Sequence, residues 1–552
     1  MTGMFIDKMF ILLLCLACLV VYFNSLSNDF VFDDLALIVY NPMIKSLKLL
    51  PLVFKKDIYA YFRVDRVETF DIAYRPMQLV TYYCDYKLWG LNPLGFRLLN
   101  ILLHLLNSIL IYYLFLGLFA NKKIAGITGI LFLVHPIHTS VVSYIAGRAQ
   151  LLSCIFMLLS MLLFLKFINL RTKKYLVFSL IAALLALISR EDALILFIFI
   201  ALILFIKKTR PKDYSWLLYF IALDLVYLYL RFLIFDKAGI SGHPHIFSLP
   251  LLAVNFLNII PRYISLLLLP LDLHMLRVTP YIFSLIDLRV LFSSLLILSC
   301  IFIIYRLRKN RIVIFGILWF LVAIAPVFFY LDGYPLLGGA MMAESWAYIA
   351  SIGIFAVFAN IFCALNKTGR AIFFSFVVFY GLLTISNNIY WKNDLLLHKR
   401  IVQYNPGKNQ IRRDLVNDYL FYGLYEQARS EIEKFASFEP QSPYLDTLWG
   451  NYYFYTGKLD SAIERYNRAI GQDKHFFTYY RLSLCYSKLG QIDRAIYFGL
   501  ESFRINPHFV LNLIQLGDLY QKAKMHEQAK VYYRMAYEIN PHNKALRDLL
   551  NY

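Results

Sequence analysis

Cysteine is scarce in this chain, which has seven cysteines in 552 residues, and most of them fall in strongly apolar sequence. Cys15 and Cys18 have a CxxC spacing, but they lie in an apolar run without histidine or carboxylate neighbours, so no redox or metal site is expected there. Only Cys84 and Cys485 would meet an oxidising compartment. The remaining three fall in apolar runs and are expected to be packing residues: Cys154, Cys300 and Cys363.

Charge is also sparse, because Asp, Glu, Lys and Arg together make up 16% of the residues. The sequence has no glycine-rich nucleotide loop and no lysine in a Walker-type context, so the motifs that bind nucleotides are missing. By contrast, 60% of the residues are hydrophobic and 17% are aromatic, far more than the core of a soluble domain requires. The composition predicts a polytopic membrane protein with an all-α transmembrane part.

Apolar runs long enough for a membrane-spanning helix predict about eleven spans. They lie near residues 9–26, 98–119, 124–145, 150–169, 175–189, 192–207, 214–235, 288–305, 312–330, 345–364 and 371–389. The first span is expected to be retained, because no small-residue cleavage site follows it. A further segment, 255–271, contains Pro261 and Pro270 and is either re-entrant or part of a pair of passes.

Basic residues in short loops predict the orientation of the bundle, since Lys and Arg are retained on the cytoplasmic side. Five such loops should face the cytoplasm, at 122–123, 171–174, 207–212, 306–311 and 367–370. The N-terminus is then cytoplasmic, while the loop 26–97 and everything after about residue 390 face outward. The basic residues of these loops also explain much of the formal charge of +20, so the charge does not imply a nucleic-acid partner.

The sequence after the last span repeats itself with a period of 33 or 34 residues. The glycines 423, 457 and 490, the alanines 428, 462, 495 and 529, and the tyrosines 419, 453, 486 and 520 keep one register. This period resembles the tetratricopeptide repeat, in which helix pairs stack into a solenoid with a concave binding face. The predicted domains are therefore a transmembrane domain at 1–390, a linker at 391–404 and a repeat domain at 405–552.

Polar residues concentrate at the predicted outward ends of the spans, where a desolvated charge is costly and marks a polar cavity. They occur in a fixed order along the chain: Phe30 to Asp34, Asn41-Pro42, Tyr74-Arg75-Pro76, Gly90 to Gly95 leading to Asn100 and His104, His135 to Thr139, Gly147-Arg148, and Ser189-Arg190-Glu191. This order, followed by the repeats, resembles the transmembrane and tetratricopeptide-repeat protein O-mannosyltransferase family. The resemblance covers nearly the whole chain. The sequence departs from the family pattern at Ala343-Glu344-Ser345, because family members usually have an arginine after the glutamate.

The resemblance implies a C-type glycosyltransferase fold, with inverting transfer of a sugar, mannose by likeness, from a polyprenyl phosphate to Ser or Thr of a protein. The repeats would receive the acceptor, and the lipid-linked sugar would be a substrate, so neither a cofactor nor a metal is expected. Alternatives are a non-catalytic membrane-anchored scaffold for an envelope complex and a lipid or sugar transporter. A bacterial inner membrane is favoured, with the endoplasmic reticulum membrane as the alternative.

Physical chemistry assigns roles to the candidate residues. A carboxylate must accept the proton of the acceptor hydroxyl, and Asp33 is preferred to Asp34 for this role. Arginine suits the leaving phosphate, because its guanidinium binds phosphate through two hydrogen bonds. The candidates for donor phosphate binding are Arg75, Arg148, Arg190 and Arg231, with His135 and His138, for which packing is the alternative. Glu191 and Glu344 would orient the sugar or an arginine, and Tyr453, Tyr486 and Tyr520 would bind the acceptor.

Overall fold

The computed structural model describes residues 2–59, 73–235, 248–284, 286–307, 309–331, 339–407, 409–539 and 544–550. These residues form α-helices, short 3-10 turns and one two-stranded sheet, in which β1 (Val278–Thr279) pairs antiparallel with β2 (Ala340–Met341). The described residues are thus mostly helical, as the apolar runs and the repeats of the sequence predict.

The first part of the chain forms an apolar helix bundle. Its helices are α1 (Thr2–Tyr22), α2 (Pro76–Trp89), α3 (Pro93–Phe119), α4 (Lys122–Val134), α5 (Thr139–Val142), α6 (Arg148–Leu170), α7 (Lys173–Leu187), α8 (Leu196–Lys207), α9 (Leu217–Phe235), α10 (Leu249–Leu268), α11 (Leu288–Arg306), α12 (Arg311–Ile324), α13 (Ala347–Cys363) and α14 (Lys367–Asn388). Many of them expose apolar side chains on one side, as lipid contact requires.

Within the described residues, eight helical segments are long and apolar enough to cross a membrane, or nine if α4 and the bent continuation Pro136–Val142 form one span. The chain is therefore a multi-pass membrane protein. Residues 255–268 of the segment predicted at 255–271 lie in α10, a 20-residue helix that includes Pro261 and ends before Pro270. The predicted spans at 175–189 and 192–207 form α7 and α8, which have 15 and 12 residues, so the figure of eleven spans stays a prediction.

The bundle has two chemically different ends. At the basic end, Lys207 donates hydrogen bonds to the carbonyl oxygens of Gly117 and Leu118, at 2.7 and 3.0 Å, where α3 ends. Arg171 forms a two-bond ion pair with Asp213 at 2.6 and 2.8 Å, between the start of α7 and the segment before α9. The opposite end, called here the loop end, carries residues 28–59 and 73–92 together with the turns at 135–147 and 188–191.

Close helix packing holds the bundle together. A Cβ atom at Gly316 of α12 would lie 2.5 Å from the carbonyl oxygen of Gly353 in α13, and one at Gly353 would lie 2.2 Å from that of Gly316. Because neither glycine has a side chain, the two backbones touch, which is the usual way for helices to associate in a membrane. Trp319, on α12, is fully buried and donates a 2.8 Å hydrogen bond to the carbonyl oxygen of Ile349.

The second part of the chain consists of antiparallel helix pairs. Its helices are α15 (Asp394–Tyr404), α16 (Asn409–Phe421), α17 (Tyr425–Phe438), α18 (Pro443–Tyr455), α19 (Leu459–Gln472), α20 (Phe476–Lys488), α21 (Ile492–Ile505), α22 (Val510–Lys522), α23 (His526–Ile539) and α24 (Lys544–Leu550). Three glycines predicted as turn residues, Gly423, Gly457 and Gly490, have positive φ angles of 72°, 81° and 74° between paired helices. The predicted α-solenoid is confirmed.

The segment 391–404, predicted as a linker, contains α15, and α15 packs against the loop end of the bundle. Leu397 and Ile401 are buried in one apolar cluster with Val31 and Tyr144. The first helix after the last span therefore fixes the repeat array to the loop that carries the two aspartates.

Candidate functional site

The two aspartates lie in a tight turn between α1 and α2. The amide of Asp34 donates to the carbonyl oxygen of Val31 at 3.0 Å, while the Val31 amide donates to Oδ2 of Asp34 at 3.1 Å. Phe32, inside this turn, has a φ of +52°, a conformation that costs a bulky residue about 1–3 kcal/mol. Such strain persists where the surrounding structure holds it, and it is concentrated at functional sites.

Asp34 braces the turn. Its side chain is fully buried, and its Oδ1 accepts a 2.8 Å hydrogen bond from the amide of Ala146, in the turn before α6. Desolvation raises the pKa of Asp34 to about 7, although the amides of Val31 and Ala146 and the charge of Arg97 oppose the rise. Both carboxylate oxygens thus accept hydrogen bonds from backbone amides, so Asp34 is poorly placed to contact a substrate as well.

Asp33 is the accessible member of the pair. It is partly buried, and its Oδ2 accepts a 3.1 Å hydrogen bond from the hydroxyl of Tyr59. Desolvation raises the pKa of Asp33 above its usual range, while the hydroxyls of Tyr144 and Tyr59 and the charge of Arg75 limit the rise. A carboxylate with a raised pKa is a stronger base than a solvated one.

A group of arginines surrounds Glu191 at the same end of the bundle. Arg75 forms an ion pair with Oε1 of Glu191 at 3.0 Å, and the hydroxyl of Tyr330 lies 3.4 Å from the same oxygen. Burial raises the pKa of Glu191, but the charges of Arg75, Arg190 and Arg231 outweigh burial and hold it well below its usual range. Among the described residues, Nε of Arg75 and Oε2 of Glu191 have no hydrogen-bond partner although both are buried.

The other two arginines of this group have further partners. Arg190 pairs with Asp192 at 2.7 Å, and Arg231 of α9 lies 3.4 Å from the hydroxyl of Tyr227. Three of the four arginines predicted for phosphate binding are thus brought together around one carboxylate. The positive charge exceeds the negative charge in this group, as an anion site requires.

Arg148, which was predicted to bind the donor phosphate, lies in the core of the bundle. Its side chain is fully buried, and it forms an ion pair with Asp85 and donates to Oδ1 of Asn100 at 2.7 Å and to the carbonyl oxygen of Phe96 at 2.5 Å. The guanidinium also lies over the ring of Tyr82, 4.8 Å from its centroid. These contacts tie α6 to α2 and α3, and each nitrogen of the guanidinium already has a partner, which favours a structural role.

The two histidines predicted at the donor site are also core residues. His138 is fully buried between the carbonyl oxygen of Phe132, at 2.7 Å, and the hydroxyl of Ser351, at 3.1 Å. His135 is fully buried as well, and its ring nitrogens contact the carbonyl oxygen of Leu267 at 3.2 Å and the amide of Ile137 at 3.3 Å. Every ring nitrogen thus has a partner in the core, which favours the packing alternative, and binding of the donor by these histidines stays a prediction.

Glu344 lies apart from Glu191 and contacts a different arginine. Its Oε1 accepts a 2.6 Å hydrogen bond from the amide of His274 and lies 3.5 Å from Arg277, which also pairs with Asp272 at 2.9 Å. An arginine-orienting role fits this geometry. The partner is Arg277, which the sequence reasoning did not single out because no motif surrounds it.

The tyrosines predicted to bind the acceptor stack on other aromatic rings of the repeats. The ring of Tyr486 stacks on Phe498 with centroids 5.2 Å apart, and that of Tyr520 stacks on Tyr532 at 5.4 Å. Tyr453 stacks on Trp449 at 6.0 Å. These contacts give the three rings a packing role within the repeats, and binding of the acceptor by them stays a prediction.

The repeat array contains a cavity near its start. It has a volume of about 250 Å³, and it lies between the first helices of successive pairs, α16, α18 and α20. Its lining is polar and aromatic: Arg413, Asn417, Tyr444, Asn451, His475 and Thr478. Among the described residues, no group of three or more His, Cys, Asp or Glu side chains is arranged to hold a metal ion.

Sequence reasoning missed Tyr59 and Tyr144, which surround Asp33. Neither belongs to a motif, and the turn that brings Tyr144 to Asp33 lies 111 residues further along the chain. The aromatic-rich composition gave no means of separating these two tyrosines from the other 40.

The resemblance to the O-mannosyltransferases is confirmed by comparison with curated proteins. The chain is 35% identical over 159 residues to protein O-mannosyl-transferase F38B6.6 of Caenorhabditis elegans, which is 28% of this chain and 23% of that protein. It is 37% identical over 143 residues to human protein O-mannosyl-transferase TMTC1, which is 26% of this chain and 16% of that protein. Human TMTC3 is 37% identical over 141 residues. The match thus spans about a fifth of the length of these relatives.

The repeat part matches a second group of proteins. Residues 478–508 and 512–543 match the family model described as tetratricopeptide repeat. Among solved structures, the crystal structure of MamA protein covers 27% of this chain and 83% of its own, with 23% identity and a TM-score of 0.22. The crystal structure of YrrB, described as a TPR protein with an unusual peptide-binding site, covers 31% of this chain and 88% of its own, with 16% identity and a TM-score of 0.23.

Proposed function

We propose that this protein is a membrane glycosyltransferase that transfers a sugar, mannose by its likeness to the matched relatives, from a polyprenyl phosphate to a Ser or Thr hydroxyl of a protein. The observation that carries the proposal is the position of Asp33 beside the arginine group. The charge of Arg75 limits the rise of the pKa of Asp33, and Arg75 also forms a 3.0 Å ion pair with Glu191. A proton acceptor and a phosphate-binding group are both required for this reaction, and here they are neighbours.

In the proposed reaction, Asp33 accepts the proton of the acceptor hydroxyl as its oxygen attacks the anomeric carbon of the sugar. The new bond from carbon to the acceptor oxygen forms while the bond from the same carbon to the phosphate oxygen breaks, so the configuration at that carbon inverts. The bonding electrons leave with the lipid phosphate, which gains negative charge. Arg75, Arg190 and Arg231 stabilise that charge, and Tyr59 keeps Asp33 in place through its hydrogen bond.

The unpaired atoms of the arginine group support binding of a polar ligand. Buried polar groups are nearly always hydrogen-bonded. Two neighbouring buried polar atoms that lack partners among the described residues therefore favour a ligand that forms the missing hydrogen bonds. Nε of Arg75 can donate to a phosphate oxygen, and Oε2 of Glu191 can accept from a sugar hydroxyl. One site can thus bind both halves of the donor.

The protein acceptor is proposed to reach Asp33 from the repeat array. The cavity of about 250 Å³ near the start of the array is large enough for a few residues of an extended peptide, and Asn417 and Asn451 offer amide groups there. The same array packs through α15 against the turn that holds Asp33. The loop end of the bundle would face away from the cytoplasm, because Lys122, Arg171 and Lys207 lie at the other end.

Transfer of radiolabelled mannose from polyprenyl phosphate mannose to protein, in membranes that contain this chain, tests the proposal. Label in protein is expected with the unchanged chain and is expected to disappear with Asp33→Asn, which keeps the size and one hydrogen-bonding oxygen. The matched control is Asp29→Asn in the same loop. The backbone amide of Asp29 donates to the carbonyl oxygen of Lys392, and this substitution leaves that hydrogen bond in place. Equal labelling by the unchanged chain and Asp33→Asn would reject the assigned base. No labelling by the unchanged chain, with mannose or with any other lipid-linked hexose, would reject the transferase and favour a scaffold.

A further inference from the structure

We infer that Asp394, the first residue of α15, is a positioning residue for Asp33, because it holds the neighbouring Phe32 in its left-handed conformation. The inference rests on the proposed function in that Asp33 is the base. Asp394 lies 361 residues from Asp33 in sequence, beyond the last candidate span, and belongs to the helix that leads into the repeat array.

The conformation of Phe32 is unusual for its position. Among the described residues other than glycine, Ala120, Arg171, Lys208 and Lys524 also have positive φ angles, but each of them follows the end of a helix, where this conformation is common. Leu276, in the loop between α10 and β1, also has a positive φ. Phe32 instead precedes the short helical turn that contains both aspartates. A phenylalanine adopts a left-handed conformation only where its surroundings impose it.

Asp394 supplies the contact that fixes this conformation. Its Oδ1 accepts a 2.8 Å hydrogen bond from the backbone amide of Phe32. Two residues earlier, the carbonyl oxygen of Lys392 accepts a 2.8 Å hydrogen bond from the amide of Asp29. The segment before and at the start of α15 thus binds both sides of the turn, and Asn393 orients the start of the helix by accepting from the amide of Leu396 at 3.0 Å.

Side-chain packing also holds Phe32 against α15. The ring of Phe32 contacts the ring of His398, one turn further along α15, with centroids 6.1 Å apart. It also packs against the cluster that contains Leu397 and Ile401. Phe32 is thereby held by α15, while the next residue, Asp33, contacts Tyr59 of the loop end.

These contacts give Asp394 a role that does not depend on its charge. The backbone amide of Phe32 needs an acceptor oxygen, and asparagine has one at the same position as aspartate. Alanine has none, so the amide would lose its partner and the turn could relax to a negative φ, which would move the carboxylate of Asp33. The repeat array and the base are in this way mechanically connected.

Three variants in the full-length protein separate this role from others. Asp394→Ala is expected to lower kcat for sugar transfer by about tenfold or more, with the KM for the lipid donor changed by less than about twofold, because donor contacts remain. Asp394→Asn is expected to keep kcat within about threefold of the unchanged protein. The control is Asp446→Ala, which removes an aspartate from the first turn of α18 and its 2.9 Å contact with Arg465, and is expected to leave kcat unchanged. An equal loss for the Asn and Ala variants would overturn the inference.

A second substitution tests the conformation directly. Glycine adopts positive φ without a steric penalty, so Phe32→Gly combined with Asp394→Ala is expected to regain at least about threefold of the lost kcat relative to Asp394→Ala, with Phe32→Gly alone as the reference. Absence of any gain would contradict the proposed mechanism of positioning.

Hydrogen exchange of the Phe32 amide gives a readout that needs no enzymatic activity. Exchange is expected to be at least about tenfold faster in Asp394→Ala and unchanged in Asp394→Asn, because the Asn variant retains the acceptor oxygen. Unchanged exchange in Asp394→Ala would overturn the inference, whatever the activity. If the exchange pattern is found but the unchanged protein transfers no sugar, the proposed function fails and the restraint on Phe32 remains.

Discussion

Arg75 and Glu191 form an ion pair with atoms 3.0 Å apart, although 116 residues separate them in sequence. Arg75 precedes α2, and Glu191 follows α7, so the pair joins the extramembrane loop to the end of a bundle helix. The amide of Met77 donates to the carbonyl oxygen of Ile188 at 3.3 Å and strengthens the same junction. Among the described residues, Nε of Arg75 and Oε2 of Glu191 remain without a hydrogen-bond partner in this pair.

The guanidinium shape of Arg75 should matter as much as its charge. Arg75→Lys is expected to raise the KM for the lipid-linked donor about tenfold, because an ammonium cannot bind Glu191 and a phosphate oxygen with fixed geometry. Measuring transfer against donor concentration checks this. Arg289→Lys is the control, since Arg289 also pairs with a carboxylate, Asp287 at 2.6 Å, but lies at the start of α11. A KM that does not respond to Arg75→Lys would remove Arg75 from the phosphate site.

The two adjacent aspartates should respond differently to the same change. Asp33→Asn is expected to lower transfer by at least about a hundredfold, in keeping with the loss of a general base, with little effect on melting temperature. Asp34→Asn is expected to lower the free energy of unfolding by about 1–3 kcal/mol, because an amide nitrogen would face the amide of Val31 or Ala146. Thermal unfolding and transfer assays on both variants check the contrast. The assignment fails if Asp34→Asn is the more stable and the less active of the two.

The pair of His398 and Asp418 should make the junction between α15 and α16 sensitive to pH. Burial lowers the pKa of His398, but its 2.7 Å hydrogen bond to Asp418 and the charges of Asp414 and Asp394 raise it above its usual value. Because the folded protein then binds a proton more tightly than the unfolded chain, this stabilisation is complete below about pH 6.5 and is lost as the pH rises through the raised pKa. Melting temperature is expected to fall over that range, and Asp418→Asn is expected to reduce the change. An identical pH profile in the variant would contradict this account.

Helix packing in the repeats should depend on a single small residue. A Cβ atom at Gly450 would lie 2.5 Å from the ring of Tyr466, which is fully buried, so Gly450→Ala is expected to lower the free energy of unfolding by about 1–3 kcal/mol. Gly471→Ala, near the end of α19, is the control, since no heavy atom lies within 4 Å of its Cβ position. That change is expected to stabilise the helix by about 0.5–1 kcal/mol. Chemical denaturation of both variants would decide, and equal effects would contradict the packing argument.

Several features of the fold followed from the sequence because they depend on local patterns. Apolar runs predicted the bundle, and the 33 to 34 residue period predicted the helix pairs and the turn glycines at 423, 457 and 490. The site was predicted only in part. Asp33, Arg75, Arg190, Arg231 and Glu191 meet at one end of the bundle. Arg148, His135 and His138 were grouped with them because the same polar motifs occur at the predicted ends of spans.

The tertiary structure decided which of the candidate polar residues are buried in the core of the bundle. Arg148 and the two histidines have every polar group satisfied inside the core, and this depends on partners such as Asp85 and Ser351 that come from distant segments. The sequence by itself determined the class of the protein, since apolar composition and helical periodicity act over short stretches of chain. The burial of Asp34 against Ala146, which distinguishes it from Asp33, and the attachment of α15 to Phe32 depend on contacts across more than a hundred residues, which no local pattern encodes.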